Sequence, residues 1–312
     1  MSKLDILQLF IVPERTKAGY SFADLPIKIS FKQSRAIVYG VPLDITTSFG
    51  KGTWRGPEVI RQVSARQIET FILDENADIQ DLIGIFDLGD LKLPKTRSIP
   101  KMLDHLDSTI PKIVALIRKD NKIPLMLGGE HTLSYYQLKS LAEEEPIVIH
   151  FDAHRDMKSK YESLKICHTT IFYHLLEYIP GENMIQIGIR QTDREENKTA
   201  DKKGVTTFDA WQVHHEIDTI VKYLQKATSG KKIYISFDID VYDLPYVPCT
   251  GTPEPFGLNP FQVLKLIKAI DRSAHLIGMD MVEVGLKNGD YREGTLATQT
   301  LYRILSRRYA RP

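Results

Sequence analysis

Apolar positions along this chain fall into short runs separated by stretches of helical spacing. Residues 36–41 (AIVYGV), 82–86 (LIGIF), 123–127 (IPLML), 146–151, 184–189, 232–237 (KIYISF) and 275–283 have strand length and composition. Between them the period changes. Val59, Ile60, Val63 and Ile68 line one face of a predicted helix over 57–73, with Pro57 suited to its first position. Met102, Leu103, Leu106, Ile110, Ile113, Val114 and Ile117 do the same over 101–119. Further helices are predicted over 132–144, 168–179, 209–228, 260–272 and 293–308, and the residues after 189 read as a polar loop. Strand and helix thus alternate from residue 36 onward. That pattern predicts an α/β fold of three layers, α/β/α, around a central, mostly parallel sheet whose strands are greasy on both faces. No composition break divides the chain, so one domain is expected over 1–312, with residues 1–35 an N-terminal extension packed on it.

In such a sheet, ligands bind at the carboxyl ends of the strands. The polar clusters of this chain sit there. His131 follows one strand, Asp152, His154 and Asp156 a second, Asp238 and Asp240 a third, and Glu283 a fourth. Alternate residues of an extended chain point the same way, so Asp152, His154 and Asp156 converge, as do Asp238 and Asp240. Four carboxylates and two imidazoles packed together need cations. Two divalent ions would balance four negative charges, and an oxygen-rich set with a minority of imidazole favours Mn²⁺ over Zn²⁺. Two such ions about 3.5–4 Å apart can deprotonate a shared water, which suits hydrolysis at carbon or phosphorus.

Bulk properties narrow the class. The net charge is +1, so no global field favours nucleic acid or an anionic membrane. No apolar run approaches a membrane span, and the first residues, MSKLDILQLF, do not read as a secretory signal. Two cysteines, Cys167 and Cys249, make no disulfide framework and are expected to be packing residues of a cytoplasmic protein.

Taken together, GGEHTL (128–133), HFDAHRD (150–156), SFDIDVYD (236–243), TGTPEP (250–255), DMVEVG (280–285) and GVPLDITTSFGKGTWRGP (40–57) resemble the ureohydrolase family of arginases and agmatinases. The resemblance covers about 36–308 and implies an arginase-like fold and two Mn²⁺ per subunit. It implies that His131, Asp152, Asp156 and Asp238 hold one ion and that Asp152, His154, Asp238 and Asp240 hold the other, with a bridging hydroxide attacking the guanidinium carbon. Glu283 would accept the guanidinium N–H groups, and His168 would shuttle a proton to the leaving amine; His174 is its nearest rival. Asp243 and Thr252 look like supporting or substrate-orienting groups. The resemblance also implies a homo-oligomer, trimer or hexamer.

Several positions depart from the family pattern. His168 is followed by Thr169 where the family has Gly, Asp243 by Leu244 where it has Pro, and Cys249 interrupts the Pro-Gly-Thr-Gly run. Arginases hold the amino-acid head group with Asn and Ser after the D-x-H-x-D, and here the expected Asn is Lys158. That points away from arginine and toward agmatine, hydrolysed to putrescine and urea. Asp193, just past a strand end, is a candidate partner for agmatine's ammonium. The alternatives are arginase, guanidinobutyrase or formimidoylglutamase, for whose anionic tails Lys158 is a candidate. More remote are a two-metal phosphoester or amide hydrolase and a non-catalytic metal-binding homologue.

Overall fold

The computed structural model describes residues 6–24, 30–82 and 84–309. Residues 1–5 and 25–29 of the expected N-terminal extension lie outside the described residues, as does residue 83 of the run expected at 82–86. A nine-stranded sheet runs through the molecule. Its strands are β1 Phe10–Ile11, β2 Ala36–Val41, β3 Ile85–Leu91, β4 Ile123–Gly128, β5 Ile147–Phe151, β6 Met184–Ile189, β7 Thr206–Asp209, β8 Lys232–Asp238 and β9 His275–Val282. The spatial order is β1-β3-β2-β4-β9-β8-β5-β6-β7. All neighbours pair in parallel except β1, which adds to the edge antiparallel to β3.

Helices cover both faces: α1 Gly56–Arg66, α2 Ile99–Lys119, α3 Thr132–Lys139, α4 Ile171–Leu175, α5 Arg194–Lys203, α6 Ala210–Thr228, α7 Pro260–Ala269 and α8 Arg292–Tyr309. The alternating side chains of the sheet feed two apolar clusters. Val38, Leu125, Ile149 and Ile235 point to the α1/α6/α7/α8 side. Ile37, Met126, Val148 and Tyr234 point to the α2/α3/α4 side. No described helix is long and apolar enough to cross a membrane.

The three-layer architecture expected from the alternation is what the chain adopts, with four local corrections. The helix expected over 57–73 ends at Arg66, and Phe71–Ile72 instead pairs with Ala77–Asp78 in a small hairpin. The run expected at 82–86 becomes a strand over 85–91 that carries Asp87 and Asp90 inside it. Those charges are tolerated because Arg61 of α1, fully buried, donates to Asp87 at 2.8 Å and to Asp90. The helix expected over 168–179 is a short one, 171–175. The expected polar loop after 189 holds α5 and the edge strand β7. Asp193 caps α5 by accepting from the Glu195 and Glu196 amides, and Glu196 returns the bond to the Asp193 amide.

Candidate metal centre

The strands β4, β9, β8 and β5 are neighbours in the sheet, so their carboxyl ends gather the motif residues. Gly129 lets the chain turn there. A Cβ on it would stand 1.9 Å from the Leu43 carbonyl, so the β4 end and the 43–52 loop approach each other only through glycine. His131 follows that turn. Its Nδ1 lies 3.0 Å from Asp152, 3.1 Å from Asp156 and 3.2 Å from Asp238. His154 Nδ1 lies 2.9 Å from Asp240 and 3.5 Å from Asp152. Asp152 therefore faces both histidines. Every one of these carboxylates is buried. All six residues expected as ligands converge.

The protonation of His131 follows from its neighbours. Ser236 Oγ donates to Asp280 at 2.9 Å, so its single proton is spent. The 3.0 Å contact between His131 Nε2 and Ser236 Oγ must then be donated by the ring. In the neutral ring, Nδ1 is a bare lone pair aimed among three carboxylates. None of them is well directed toward it, and Nδ1 is an orphaned buried atom, as is Asp240 Oδ2. That arrangement demands a cation, either a proton or a metal. Consistently, burial would lower the His131 pKa, but the close carboxylates of Asp152, Asp156 and Asp238 override it and push the ring well above its usual range. Burial and the charge of Asp152 push Asp156 up to about 7. Burial and the charges of Asp240 and Asp152 push Asp238 well above the carboxylate range. A donor set of carboxylates with a minority of imidazole fits divalent ions of the hard, oxygen-preferring kind.

His150 continues the alternation of 152, 154 and 156. Arg155 Nη1 donates to Gln186 Oε1 at 2.8 Å, which turns the Gln186 amide nitrogen toward His150 Nδ1 at 3.2 Å. His150 therefore carries its proton on Nε2 and donates it to Asp152 Oδ2 at 2.7 Å. Its ring stacks on Phe172 at 3.9 Å between centroids. His150 thus holds Asp152 from behind.

Glu283 follows β9 with φ +59°, a left-handed conformation that is costly for a non-glycine residue. Asp156 is similarly placed at φ +52°. Glu283 Oε1 accepts the His131 amide at 2.7 Å, and burial pushes this carboxyl well above its usual range. Its other oxygen faces Gly251, where a Cβ would stand 3.3 Å away. His168 is buried, with Nε2 3.1 Å from Ser48 Oγ and Nδ1 3.5 Å from Thr46 Oγ1. Burial and the neighbouring His154 and His131 lower it to about 4, so it is neutral at pH 7. Thr46 also binds the buried Glu130 carboxylate through its amide and hydroxyl.

Other candidates are engaged elsewhere. His174 points its Nε2 at the Ser159 carbonyl, 3.0 Å away. Asp243 accepts the Gly257 amide at 2.9 Å and so ties the 243–257 loop, in which Thr252 is half-buried. Asp193 is spent on the α5 cap and on an ion pair with Lys158, which also reaches Glu196 at 3.2 Å. Glu254 does face the site. Its carboxylate lies 3.8 Å from His154 Nε2 and is about a quarter exposed (27%). Cys167 and Cys249 are free and buried.

A buried carboxylate–imidazole cluster at the carboxyl edge of a parallel sheet is the arrangement of a metal-dependent hydrolase. A model of the arginase family matches residues 34–305, and the chain belongs to that family. It is accordingly a hydrolase of guanidino C–N bonds. Agmatinase of Halalkalibacterium halodurans is 32% identical over 258 residues, 82% of this chain and 85% of that protein. The N(1)-aminopropylagmatine ureohydrolase of Thermus thermophilus is 31% identical over 280 residues, 88% of this chain and 90% of that one. The crystal structure of the agmatine ureohydrolase of Thermoplasma volcanium superposes with a TM-score of 0.82 at 27% identity, covering 98% of this chain and 97% of that one.

Proposed function

We propose that the protein hydrolyses agmatine to putrescine and urea with two Mn²⁺ ions. His131, Asp152, Asp156 and Asp238 would hold one ion, and Asp152, His154, Asp238 and Asp240 the other. The observation that carries this reading is the Nδ1 of His131 directed among three buried carboxylates at 3.0–3.2 Å. Bound there, the ions would lower the pKa of a shared water toward neutrality and so supply the nucleophile.

The rest falls to the chain's own side chains. Glu283 accepts N–H bonds from the planar guanidinium, which fixes its carbon over the cluster. The incoming cation favours the ionised form of a carboxylate that burial alone would protonate. His168, neutral at pH 7, can take up a proton and pass it to the departing amine, which leaves as a neutral molecule. Its Ser48 and Thr46 contacts set the direction of the ring.

The tail of the substrate is cationic in this reading. Lys158, the candidate for an anionic tail, is already neutralised by Asp193 and Glu196. Glu254, beside His154 at the mouth, replaces Asp193 as the partner of the ammonium. A second reading, agmatine extended by an aminopropyl group, is favoured by the relatives from Thermus thermophilus, which are as similar as the agmatinases. Urea release from agmatine, N1-aminopropylagmatine, arginine, guanidinobutyrate and, as formamide, formiminoglutamate separates these substrates. Highest kcat/KM on agmatine supports the first reading. Preference for the longer polyamine moves the assignment to the second.

A further inference from the structure

Arg155 stands between His154 and Asp156 but faces away from the metal cluster. Its side chain is only 7% exposed. It reaches across β6 and β7, where Nη1 donates to Gln186 Oε1 and Thr207 Oγ1, both at 2.8 Å. Nε is buried without a partner, and Nη2 makes no hydrogen bond among the described residues. Arg155 also forms no ion pair among them, and burial lowers its pKa against the more distant charges of Glu196, Asp201 and Asp209. A buried guanidinium with half its donors idle is costly unless something answers it.

The guanidinium lines an open cleft of about 350 Å³ between the carboxyl ends of β6 and β7 and the start of α6. Three of the other polar groups there hold donors without acceptors. Gln212 Oε1 accepts the Asp209 amide, so its NH₂ is unpartnered. Asn197 Oδ1 faces Thr192 Oγ1, which leaves its NH₂ unpartnered as well. Thr207 Oγ1 accepts from Arg155, so its proton is free. Arg190, also on the lining, gives its donors to the backbone carbonyls of 188, 240–242, 254 and 255 and adds a second positive charge. The acid on the lining is Asp209, which caps α6 by accepting the Gln212 amide at 2.8 Å, and its charge acts on the Arg155 guanidinium together with those of Glu196 and Asp201.

We propose that this cleft binds a small oxyanion, a carboxylate or a phosphate, with Arg155 as the charged anchor and Asn197, Thr207 and Gln212 as neutral donors. Such a ligand is rich in acceptors, which the idle donors of the lining would take up, and the cleft has room for a small metabolite. The site also has a physical line to the chemistry. Arg155 orients Gln186, Gln186 orients His150, and His150 donates to Asp152. An occupant pulling on Arg155 therefore acts on the carboxylate shared by both histidines of the cluster.

The test is thermal melting of the full chain against sodium phosphate and sodium acetate, with sodium chloride holding ionic strength constant. Arg155→Gln removes the anchor. Asn197→Ala removes a half-buried donor whose side chain makes one hydrogen-bond contact among the described residues, with the Thr192 hydroxyl at 3.5 Å, which keeps the test valid if Arg155→Gln unfolds. The expected result is a saturable rise in Tm with at least one anion. Half-saturation should shift to about tenfold higher concentration in each folded variant, the scale of one charge-assisted or buried hydrogen bond. A tighter response to acetate assigns the site to carboxylates, and a tighter response to phosphate assigns it to phosphates. No saturable rise beyond the chloride control overturns the proposal. So does an Asn197→Ala protein that responds like the wild type, since the anion would then be bound elsewhere, the metal cluster included.

Discussion

His131 Nε2 stands 3.0 Å from Ser236 Oγ, on the far side of the ring from the carboxylates that surround Nδ1. Ser236 passes the interaction to Asp280, a buried acid also bound by Tyr234. The ring is thereby fixed in the tautomer that offers a lone pair to a metal. Ser236→Ala and Asp280→Asn should weaken Mn²⁺ binding about 10–100-fold, the usual weight of groups that orient a ligand. Calorimetric titration of Mn²⁺ into the metal-free protein checks this without recourse to activity. Unchanged affinity in both variants would make the pair a packing feature.

Metal binding should be strongly pH-dependent. Asp156 holds its proton up to about 7 in the folded chain, against a usual 3.8. Below 7 a metal must displace that proton together with those that Asp238 and His131 hold well above their usual ranges, so affinity should climb as pH rises through 7 and go on climbing above it, with proton release on binding. Metal-free stability should run the other way. Between about 4 and 7 the folded chain binds the proton that the unfolded chain has lost, so stability falls as pH rises through that window. Melting with and without Mn²⁺ from pH 5 to 8 reads both trends.

Glu254 and Asp193 make a contrasting pair. Glu254→Gln should raise KM for agmatine about fivefold, matching a ~1 kcal/mol partly exposed ion pair, and leave KM for propylguanidine, which has no second cation, unchanged. Asp193→Ala removes a helix cap and should cost about 1 kcal/mol of stability with little effect on KM. A KM increase confined to Asp193→Ala would reverse the two roles.

Glu283→Gln keeps an acceptor for the His131 amide but loses the charge proposed to face the guanidinium. Mn²⁺ affinity should stay within about threefold of wild type, while kcat/KM on agmatine falls by on the order of 10²-fold or more. Loss of metal binding in this variant would show that Glu283 supports the cluster and not the substrate.

The alternation of apolar strands and helical stretches was enough to read the layers of the fold, because buried parallel strands carry their signal in each short run. The D-x-H-x-D and D-x-D spacings exposed the cluster for a similarly local reason. Long-range compensation was illegible. Asp87 and Asp90 look like loop residues until Arg61 of α1 is found beneath them. α5 was missed because it is almost wholly polar, although D-x-x-E at 193–196 is a capping-box signal. His150 lay in the same alternating register as the ligands, and only its Gln186 contact shows that it is a donor and not a ligand. The left-handed backbone at Asp156 and Glu283 has no sequence signature at all.

The central claim is that this cluster turns over a cationic guanidino substrate. The most direct measurement is urea and putrescine release from agmatine by the protein reconstituted with Mn²⁺, beside an Asp152→Ala control. The wild type should release equal amounts of urea and putrescine, and the control neither. Two equivalents of bound Mn²⁺ with no urea from agmatine or any other guanidino compound would contradict it.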